Sequence, residues 1–310
     1  MQRWNLLVCG SIPPPASNKD MIYLIINADD LGLNPTVNAE INNALKNHYI
    51  SSSTILANSN YWNEIHTVVD GNPQASFGVH LNLTQGRALT DSPIFRKLNI
   101  VDDNNYFTMK IRETKVFSND LLEAVYNEWN AQVNKVINIE GIRASHFDGH
   151  HHIHAVYAFR GILLKLLNKY GIDKTRNRYN IPMRSPKKLL VNCVGALTSI
   201  FPAYTVVDRV QNRSKAFKVI YSYIENAEWQ NYFKNNNIKV THYFDAYEHQ
   251  VEQINAGILI PNGVFFELMC HPGHPNYAKE YEMIKNNSIN LGIVDIELIS
   301  YNDYYKRLFI

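Results

Sequence analysis

The sequence predicts an α/β protein built on a parallel sheet. Short apolar runs rich in β-branched and aromatic residues alternate with segments of helical spacing, a pattern typical of a parallel sheet that is open or closed into a barrel. The first run, 22–26, is almost unbroken in its apolar character, as expected of a strand buried on both faces. Polar residues follow several of the predicted strands directly, at the edge where α/β barrels build their active sites.

The predicted elements succeed one another in regular order. A helix over 36–48 follows the first strand, because its apolar residues Val37, Ile41 and Leu45 recur at helical spacing. The remaining predictions are strands over 53–57 and 76–84, a long amphipathic helix over 119–137, a strand end at 144–147, a helix over 157–170, a strand over 263–270 and a helix over 277–285.

The chain length suits one domain of barrel size. With 310 residues it can bury a large core, and we predict a single barrel domain over 21–310. Residues 1–20 have a short apolar run and three consecutive prolines, which favour a disordered leader over a signal peptide. Residues 186–237 lack the composition of a linker and are predicted to form a helical insertion.

Composition argues against two classes of partner. Thirty Lys and Arg residues against 28 Asp and Glu leave a net charge of +2, so neither nucleic acid nor an anionic membrane surface is expected to bind. No apolar run reaches the length of a membrane span. Cys9, Cys193 and Cys270 are odd in number and far apart, which predicts a reducing, cytoplasmic compartment; export through the leader stays the alternative.

Histidines are concentrated in one segment. Five of the twelve lie in the nine residues His146–His154, together with Asp148. Imidazole is the commonest metal ligand and the usual proton carrier near neutral pH, so the segment predicts a divalent metal site. In extended backbone His146 and Asp148 point to one face. His150, His151 and His152 cannot all reach one ion, so one or two are expected to ligate and the others to orient ligands or line the cleft.

Other candidates lie at the ends of three further predicted strands. Asp29 and Asp30 are adjacent carboxylates whose repulsion a metal would relieve; a turn or a helix N-cap would also explain them. His80 interrupts an apolar alternation and is either a ligand or a core histidine. His271 precedes a proline and a glycine that fix a turn, which suits a general acid or an ordinary turn histidine.

Taken together, four segments resemble the signature of a known family. Asn27-Ala-Asp-Asp-Leu-Gly32, His80-Leu-Asn-Leu-Thr84, His146-Phe-Asp-Gly-His-His-His-Ile-His154 and Met269-Cys-His-Pro-Gly273 are similar, in order, to those of the YdjC-like carbohydrate deacetylases. The resemblance covers about residues 21–300. It implies a distorted (β/α) TIM-like barrel related to the polysaccharide-deacetylase barrels. It also implies removal of N-acetyl groups from N-acetylglucosamine units of small chitin-type oligosaccharides.

The resemblance also implies roles for individual residues. Asp30, His80 and His150 match the metal-binding positions, Asp29 matches the base, and His271 matches the motif histidine that we assign as the acid. Residues expected to support the ligands or touch the substrate are His146, Asp148, His152, Arg176 and Arg178.

The expected cofactor is one divalent ion. It is Mg²⁺ by family description, although mixed His and Asp ligands suit Zn²⁺ or another transition ion better. The expected partner is a small acetylated oligosaccharide, and a homodimer is left open. The chain departs from the family pattern at the longer 186–237 region and at Gly149, where Ser is common.

Two other functions fit the same residues. A metal-dependent phosphoesterase on a barrel would need a cationic clamp, for which Arg143, Arg176, Arg178 and Arg184 are available in the sequence. A non-catalytic sugar-binding protein would bind chitooligosaccharide without releasing acetate.

Overall fold

The computed structural model describes residues 21–178, 226–255, 263–286 and 295–304. The predicted leader and most of the predicted insertion lie outside these ranges. Within the insertion, residues 226–235 are helical. None of the helices in the described ranges combines the length and the apolar character needed to cross a membrane.

A parallel sheet organises the described residues. Its strands are β1 (Met21–Leu31), β2 (Ser52–Ile55), β3 (Ser76–Leu81), β4 (Phe147–Gly149), β5 (Tyr243–Ala246), β6 (Phe265–Cys270) and β7 (Asp295–Leu298). They run in the order β4-β3-β2-β1-β6-β5, with β7 also paired to β1. β1 is long enough for its first residues to pair with β7 and its last ones to pair with β2 on the same edge.

The sheet curves into a half-barrel, the distorted barrel that the sequence predicts. Isolated parallel bridges join Phe147 to Thr175 and Lys174 to Lys239. Residue 239 lies shortly before β5 in the chain, so these bridges carry backbone pairing from β4 towards the opposite edge of the sheet.

Helices cover the outside of the sheet. Besides the helical residues 226–235, they include α1 (Pro35–Lys46), α2 (Trp62–Asp70), α3 (Pro93–Lys97), α4 (Asn119–Asn134), α5 (Arg160–Tyr170), α6 (Tyr247–Asn255) and α7 (Ala278–Lys285). The start of α1 follows from its sequence, because Asn34 caps the backbone N–H of Val37 and Pro35 occupies the first turn. Ser118 caps α4 in the same way. The buried apolar residues of both helices face the sheet and form one core with it.

The long first strand differs from its prediction. The apolar run ends at Ile26, yet β1 continues through Asn27, Asp29 and Asp30 to Leu31. These polar side chains are buried, and Asn27 donates a hydrogen bond to Asp29. Periodicity alone assigns such residues to a loop. The sequence prediction also omitted α2, α3, β5, α6 and β7.

Candidate active site

The C-terminal ends of four strands bring the candidate residues together. Asp29 and Asp30 come from the end of β1, His80 from β3, Asp148 from β4 and His271 from just after β6. All the strand pairings are parallel, so these ends share one edge of the sheet, as the sequence predicts.

A bulge at the end of β1 separates the two aspartates. Ala28 pairs with Ser53 and Leu31 with Ile55, so β1 has one more residue than β2 in this interval. Asp30 takes up the extra length with a positive φ of 71°, a conformation that Asp adopts more readily than most residues. Adjacent carboxylates on a strand would point to opposite faces, but the bulge lets both face one cluster.

The first group at this edge is Asp30, His80 and His150. Their candidate ligand atoms all lie within 4.8 Å of one another, and the three residues are buried. Asp30 Oδ1 lies 2.7 Å from His150 Nδ1 and 3.3 Å from His80 Nε2. One carboxylate oxygen and two imidazole nitrogens are thus directed at a common point.

The chemistry of this group fits a divalent cation. Although both imidazole nitrogens are near, Asp30 Oδ1 has no hydrogen-bond partner of acceptable geometry among the described residues. A buried carboxylate oxygen without a partner is costly, and a cation held by all three residues would satisfy it. Three protein ligands also leave positions for water and substrate.

Asp148 contacts the ring nitrogen of His80 that does not face Asp30. Asp148 Oδ1 lies 2.7 Å from His80 Nδ1, and Thr54 Oγ1 contacts both residues. Burial alone would lower the pKa of His80, but the charges of Asp148 and Asp29 outweigh burial and raise it to about 10. The contact at 2.7 Å directs Nδ1 at Asp148, and Nε2 faces Asp30.

The second group centres on Arg176, which directly follows the bridged residues Lys174 and Thr175 and contacts Asp29. Its guanidinium donates to Asp29 Oδ2 at 2.7 Å and to Asp29 Oδ1 at 2.6 Å, and Asn27 Nδ2 donates to Oδ1 at 2.9 Å. Burial would raise the pKa of Asp29, but Arg176 outweighs burial and holds this pKa well below its usual range. Asp29 is therefore a carboxylate at neutral pH.

Arg176 also contacts two further carboxylates. Its Nη2 lies 2.9 Å from Asp148 Oδ2, and its Nε donates to Glu267 Oε1 at 2.7 Å. Tyr301 donates its hydroxyl to the other oxygen of Glu267. Burial raises the pKa of Glu267 to about 7 even though Arg176 opposes this shift. All three guanidinium nitrogens therefore contact buried carboxylates.

His271 lies on the turn after β6, where the charges of Asp29, Asp30 and Glu280 act on its ring. Its backbone N–H donates to Glu280 Oε2 at 2.7 Å, its ring Nδ1 lies 3.3 Å from the same oxygen, and its ring stacks on Tyr277. Burial would lower the pKa of His271, but the hydrogen bond to Glu280 and the charge of Asp29 raise it above its ordinary value.

The other predicted residues lie around these groups. His146 is fully buried, stacks on Tyr301 at 3.6 Å and contacts Ser145, so it packs behind the site. His152 packs edge-on against Phe244, and burial lowers its pKa to about 3. Arg178 lies over the ring of Trp229. The structure brings none of His146, His152 and Arg178 into the Asp30 group.

Several partners escaped the sequence analysis. Glu267 offered a signal, since it is a single charge inside the apolar run Val264–Cys270, and such a residue is rarely buried without a partner. Glu280, which contacts His271, and Gln85, whose Oε1 lies 2.8 Å from His150 Nε2, gave no signal. Glu280 is one acidic residue of an amphipathic helix, and Gln85 is a neutral residue in a loop.

Comparisons with known proteins agree with this fold. A carbohydrate deacetylase of Enterococcus faecalis is 38% identical over 152 residues, which are 48% of this chain and 56% of that protein. A carbohydrate deacetylase of Thermoanaerobacter pseudethanolicus is 31% identical over 166 residues, which are 53% of this chain and 61% of that protein. The chain thus spans less than two thirds of either relative.

A solved structure and a family model extend over more of the chain. The crystal structure of an Enterococcus faecalis protein assigned to cellobiose-phosphate cleavage superposes with a TM-score of 0.61 and 22% identity, covering 91% of this chain and 98% of that one. This similarity shows the fold. The model of the family described as YdjC-like protein matches residues 23–297. The chain therefore belongs to the YdjC-like family.

Proposed function

We propose that this protein is a metal-dependent deacetylase that removes N-acetyl groups from N-acetylglucosamine units of small chitin-type oligosaccharides. The observation that carries the proposal is the pairing of two unlike groups at one sheet edge. One is a His, His, Asp set whose carboxylate oxygen lies between two imidazole nitrogens without a hydrogen bond of acceptable geometry among the described residues, and the other is a carboxylate fixed by arginine beside it. The two relatives named carbohydrate deacetylase support the choice of reaction.

Asp30, His80 and His150 are the residues that would hold the cation. When bound there, a divalent ion supplies the polarisation of the amide carbonyl and the acidification of water that acetamide hydrolysis needs. The mixed nitrogen and oxygen donors favour Zn²⁺ or another transition ion over Mg²⁺, which prefers an oxygen shell. Elemental analysis of protein purified without added metal tests this preference, and stoichiometric magnesium would contradict it.

Asp29 is the proposed base. Its Oδ1 accepts hydrogen bonds from Arg176 and Asn27, whereas its Oδ2 accepts one from Arg176 and lies 3.9 Å from His80 Nε2. Oδ2 therefore keeps a lone pair on the side of the ligand group. Arg176 fixes the orientation of the carboxylate, so that it accepts a proton from the attacking water without first having to reorient.

His271 is the proposed acid. Amide hydrolysis expels a poor leaving group unless the amine nitrogen is protonated. The hydrogen bond to Glu280 and the charges of the aspartates raise the pKa of His271 above its ordinary value, so the ring keeps its proton to higher pH than an ordinary histidine. Glu280 also fixes the position of its Nδ1, which leaves Nε2 to donate to the departing amine.

A direct assay tests the proposal. Diacetylchitobiose incubated with the protein should lose one acetyl group, read as mass loss and as released acetate. Asp30→Asn should abolish the reaction, while Asp91→Asn, a change at an exposed aspartate, should leave it intact. Tight binding of the sugar with no acetate released by the wild type would favour a sugar-binding protein instead.

The phosphoesterase alternative finds less support. Arg176 is fully buried and bound to three carboxylates, so its charge is not available to a phosphate, and Arg143 is exposed. Arg178 lies over Trp229, and Arg184 lies outside the described residues. Phosphatase activity exceeding the release of acetate would nevertheless overturn the deacetylase proposal.

A further inference from the structure

The two histidines of the ligand group turn different ring nitrogens towards Asp30. His80 faces Asp30 Oδ1 with Nε2, at 3.3 Å, and His150 faces the same oxygen with Nδ1, at 2.7 Å. A histidine binds a metal through an unprotonated nitrogen, so its other nitrogen must carry the proton and needs an acceptor. The two rings therefore need acceptors at opposite positions.

The acceptor of each ring has a different chemical character. His80 Nδ1 lies 2.7 Å from the buried carboxylate of Asp148. His150 Nε2 lies 2.8 Å from the side-chain oxygen Oε1 of Gln85. An amide oxygen accepts a hydrogen bond but carries no charge. It selects the tautomer of His150 that has its proton on Nε2 and a free lone pair on Nδ1.

The backbone of Gln85 is unusually well fixed for an exposed residue. Asn82 accepts the Gln85 N–H at 3.1 Å and donates to the Gln85 carbonyl at 2.6 Å, and Asn58 donates to the same carbonyl at 2.8 Å. Gln132 of α4 in turn holds the backbone of Asn82 through its N–H and its carbonyl. Buried polar groups thus define the position of a side chain at the mouth of the site.

The residue after Gln85 completes this arrangement. Gly86 has a positive φ of 75°, and a Cβ there would come within 2.6 Å of the side-chain nitrogen of Asn58. Glycine therefore permits the close contact between Asn58 and the backbone of Gln85. A loop held this firmly, with one amide directed at a ligand imidazole, indicates a role for that amide.

We infer that Gln85 is a positioning residue for the cation site, one that selects the ligating tautomer of His150. This inference rests on the proposed function, since it requires a bound divalent ion. Loss of an outer partner of a ligand histidine typically lowers metal affinity by about 10–100-fold. The Gln85→Ala variant should show a loss in this range.

Titration of the metal-free protein with Zn²⁺ against a chromogenic chelator measures this directly, without any activity assay. Gln85→Glu keeps the length and the acceptor oxygen of the side chain, so it should bind Zn²⁺ at least as tightly as the wild type. Gln74→Ala, at an exposed glutamine in the turn before β3, is the matched control and should bind like the wild type. Thermal unfolding of the metal-free variants should match that of the wild type.

The outcomes separate the inference from the function beneath it. A wild type that binds no Zn²⁺ under these conditions contradicts the cation site itself. A wild type that binds Zn²⁺, with Gln85→Ala binding equally well, overturns the role of Gln85 alone. Equal weakening in Gln85→Ala and Gln85→Glu also overturns it, because the glutamate retains the acceptor.

Discussion

Two adjacent aspartates at the end of β1 have partners of different kinds, an arginine for Asp29 and two histidines for Asp30. Asp29 is bound by the guanidinium of Arg176 through two short hydrogen bonds, and this cation is part of the chain. Asp30 faces the rings of His80 and His150, and among the described residues no arginine or lysine forms an ion pair with it. Both carboxylates are buried to a similar degree, so burial does not distinguish them.

The difference shows how one strand end can supply two chemical functions. A carboxylate neutralised by a permanent cation is oriented and does not need a metal, which suits a base. A carboxylate that faces only imidazoles lacks a permanent counterion, which suits a ligand. The bulge that gives Asp30 its positive φ creates this division, because it lets neighbouring residues face one cluster from different directions.

The largest effects are expected from substitution of the two aspartates, which should differ in whether bound metal is lost together with activity. Asp29→Asn should lower kcat by about 10²–10⁴-fold, the usual range for loss of a general base, and should retain the metal. Asp30→Asn should lose stoichiometric metal on dialysis as well as activity. Metal content and acetate release, measured on the same preparations, test this. If Asp29→Asn loses metal to the same degree, the proposed division is wrong.

Removing the permanent cation should destabilise the fold. Arg176→Met leaves Asp29, Asp148 and Glu267 buried without their counterion, and breaking a buried pair in this way costs about 3–5 kcal/mol. We therefore expect the free energy of unfolding in urea to fall by this amount at pH 7. Arg143→Ala, at an exposed arginine, should change it by about 0.5 kcal/mol or less. A small effect of Arg176→Met would show that the cluster protonates readily.

The position of the group formed by Asp30, His80 and His150 could largely be predicted from the sequence. Asp30, His80 and His150 each lie at or beside a strand end within a recognisable motif, and parallel strands bring such ends together. The order of the motifs and the alternation of elements were therefore enough to predict the shared edge. The bulge at Asp30 was not predictable, because it depends on the register between β1 and β2.

The contacts around Arg176 were harder to predict from the sequence. Both Arg176 and Arg178 were candidates to hold the base or the substrate, and they are chemically identical two positions apart. The structure distinguishes them. Arg176, which directly follows the bridged residues 174 and 175, binds Asp29, whereas Arg178 lies over Trp229. Glu267 and Glu280 contribute through contacts that span long stretches of chain. Single-residue patterns do not report contacts of this kind.

A pH profile tests the assignment of His271 as the acid. Since the pKa of His271 is raised, the protonated acid persists above its ordinary range, and kcat/KM should fall as pH rises through this pKa. Glu280→Gln removes a group that raises the pKa, so the falling limb should move to lower pH. The stabilisation gained from protonated His271 is complete below its unfolded pKa and is lost as pH rises through the folded one.

The matched control for this profile lies on the same helix. Glu282→Gln changes an exposed glutamate of α7 and should leave the limb in place. A limb that stays fixed in Glu280→Gln, with the fold intact by circular dichroism, would show that another group supplies the proton.

The last comparison concerns Gly149, which precedes the proposed ligand His150, and begins with the larger of two small effects. Its backbone is extended, with φ −164°, so no strain arises from φ, but a Cβ would lie 2.8 Å from the backbone nitrogen of His154. Overpacking of this kind costs about 1–3 kcal/mol, so Gly149→Ala should lower the free energy of unfolding by that amount. It should also weaken metal binding, because the added carbon displaces the turn that carries His150.

Gly161 provides the contrast for this change. It lies within α5, and a Cβ there would meet only the hydroxyl of Tyr232 at 3.9 Å, so Gly161→Ala should stabilise the protein by about 0.5–1 kcal/mol through helix propensity. Metal lost in Gly149→Ala reflects displacement of the backbone that carries Asp148 and His150. Normal metal affinity in a destabilised Gly149→Ala variant would show that His150 is positioned by Gln85 and Asp30 and not by its own turn.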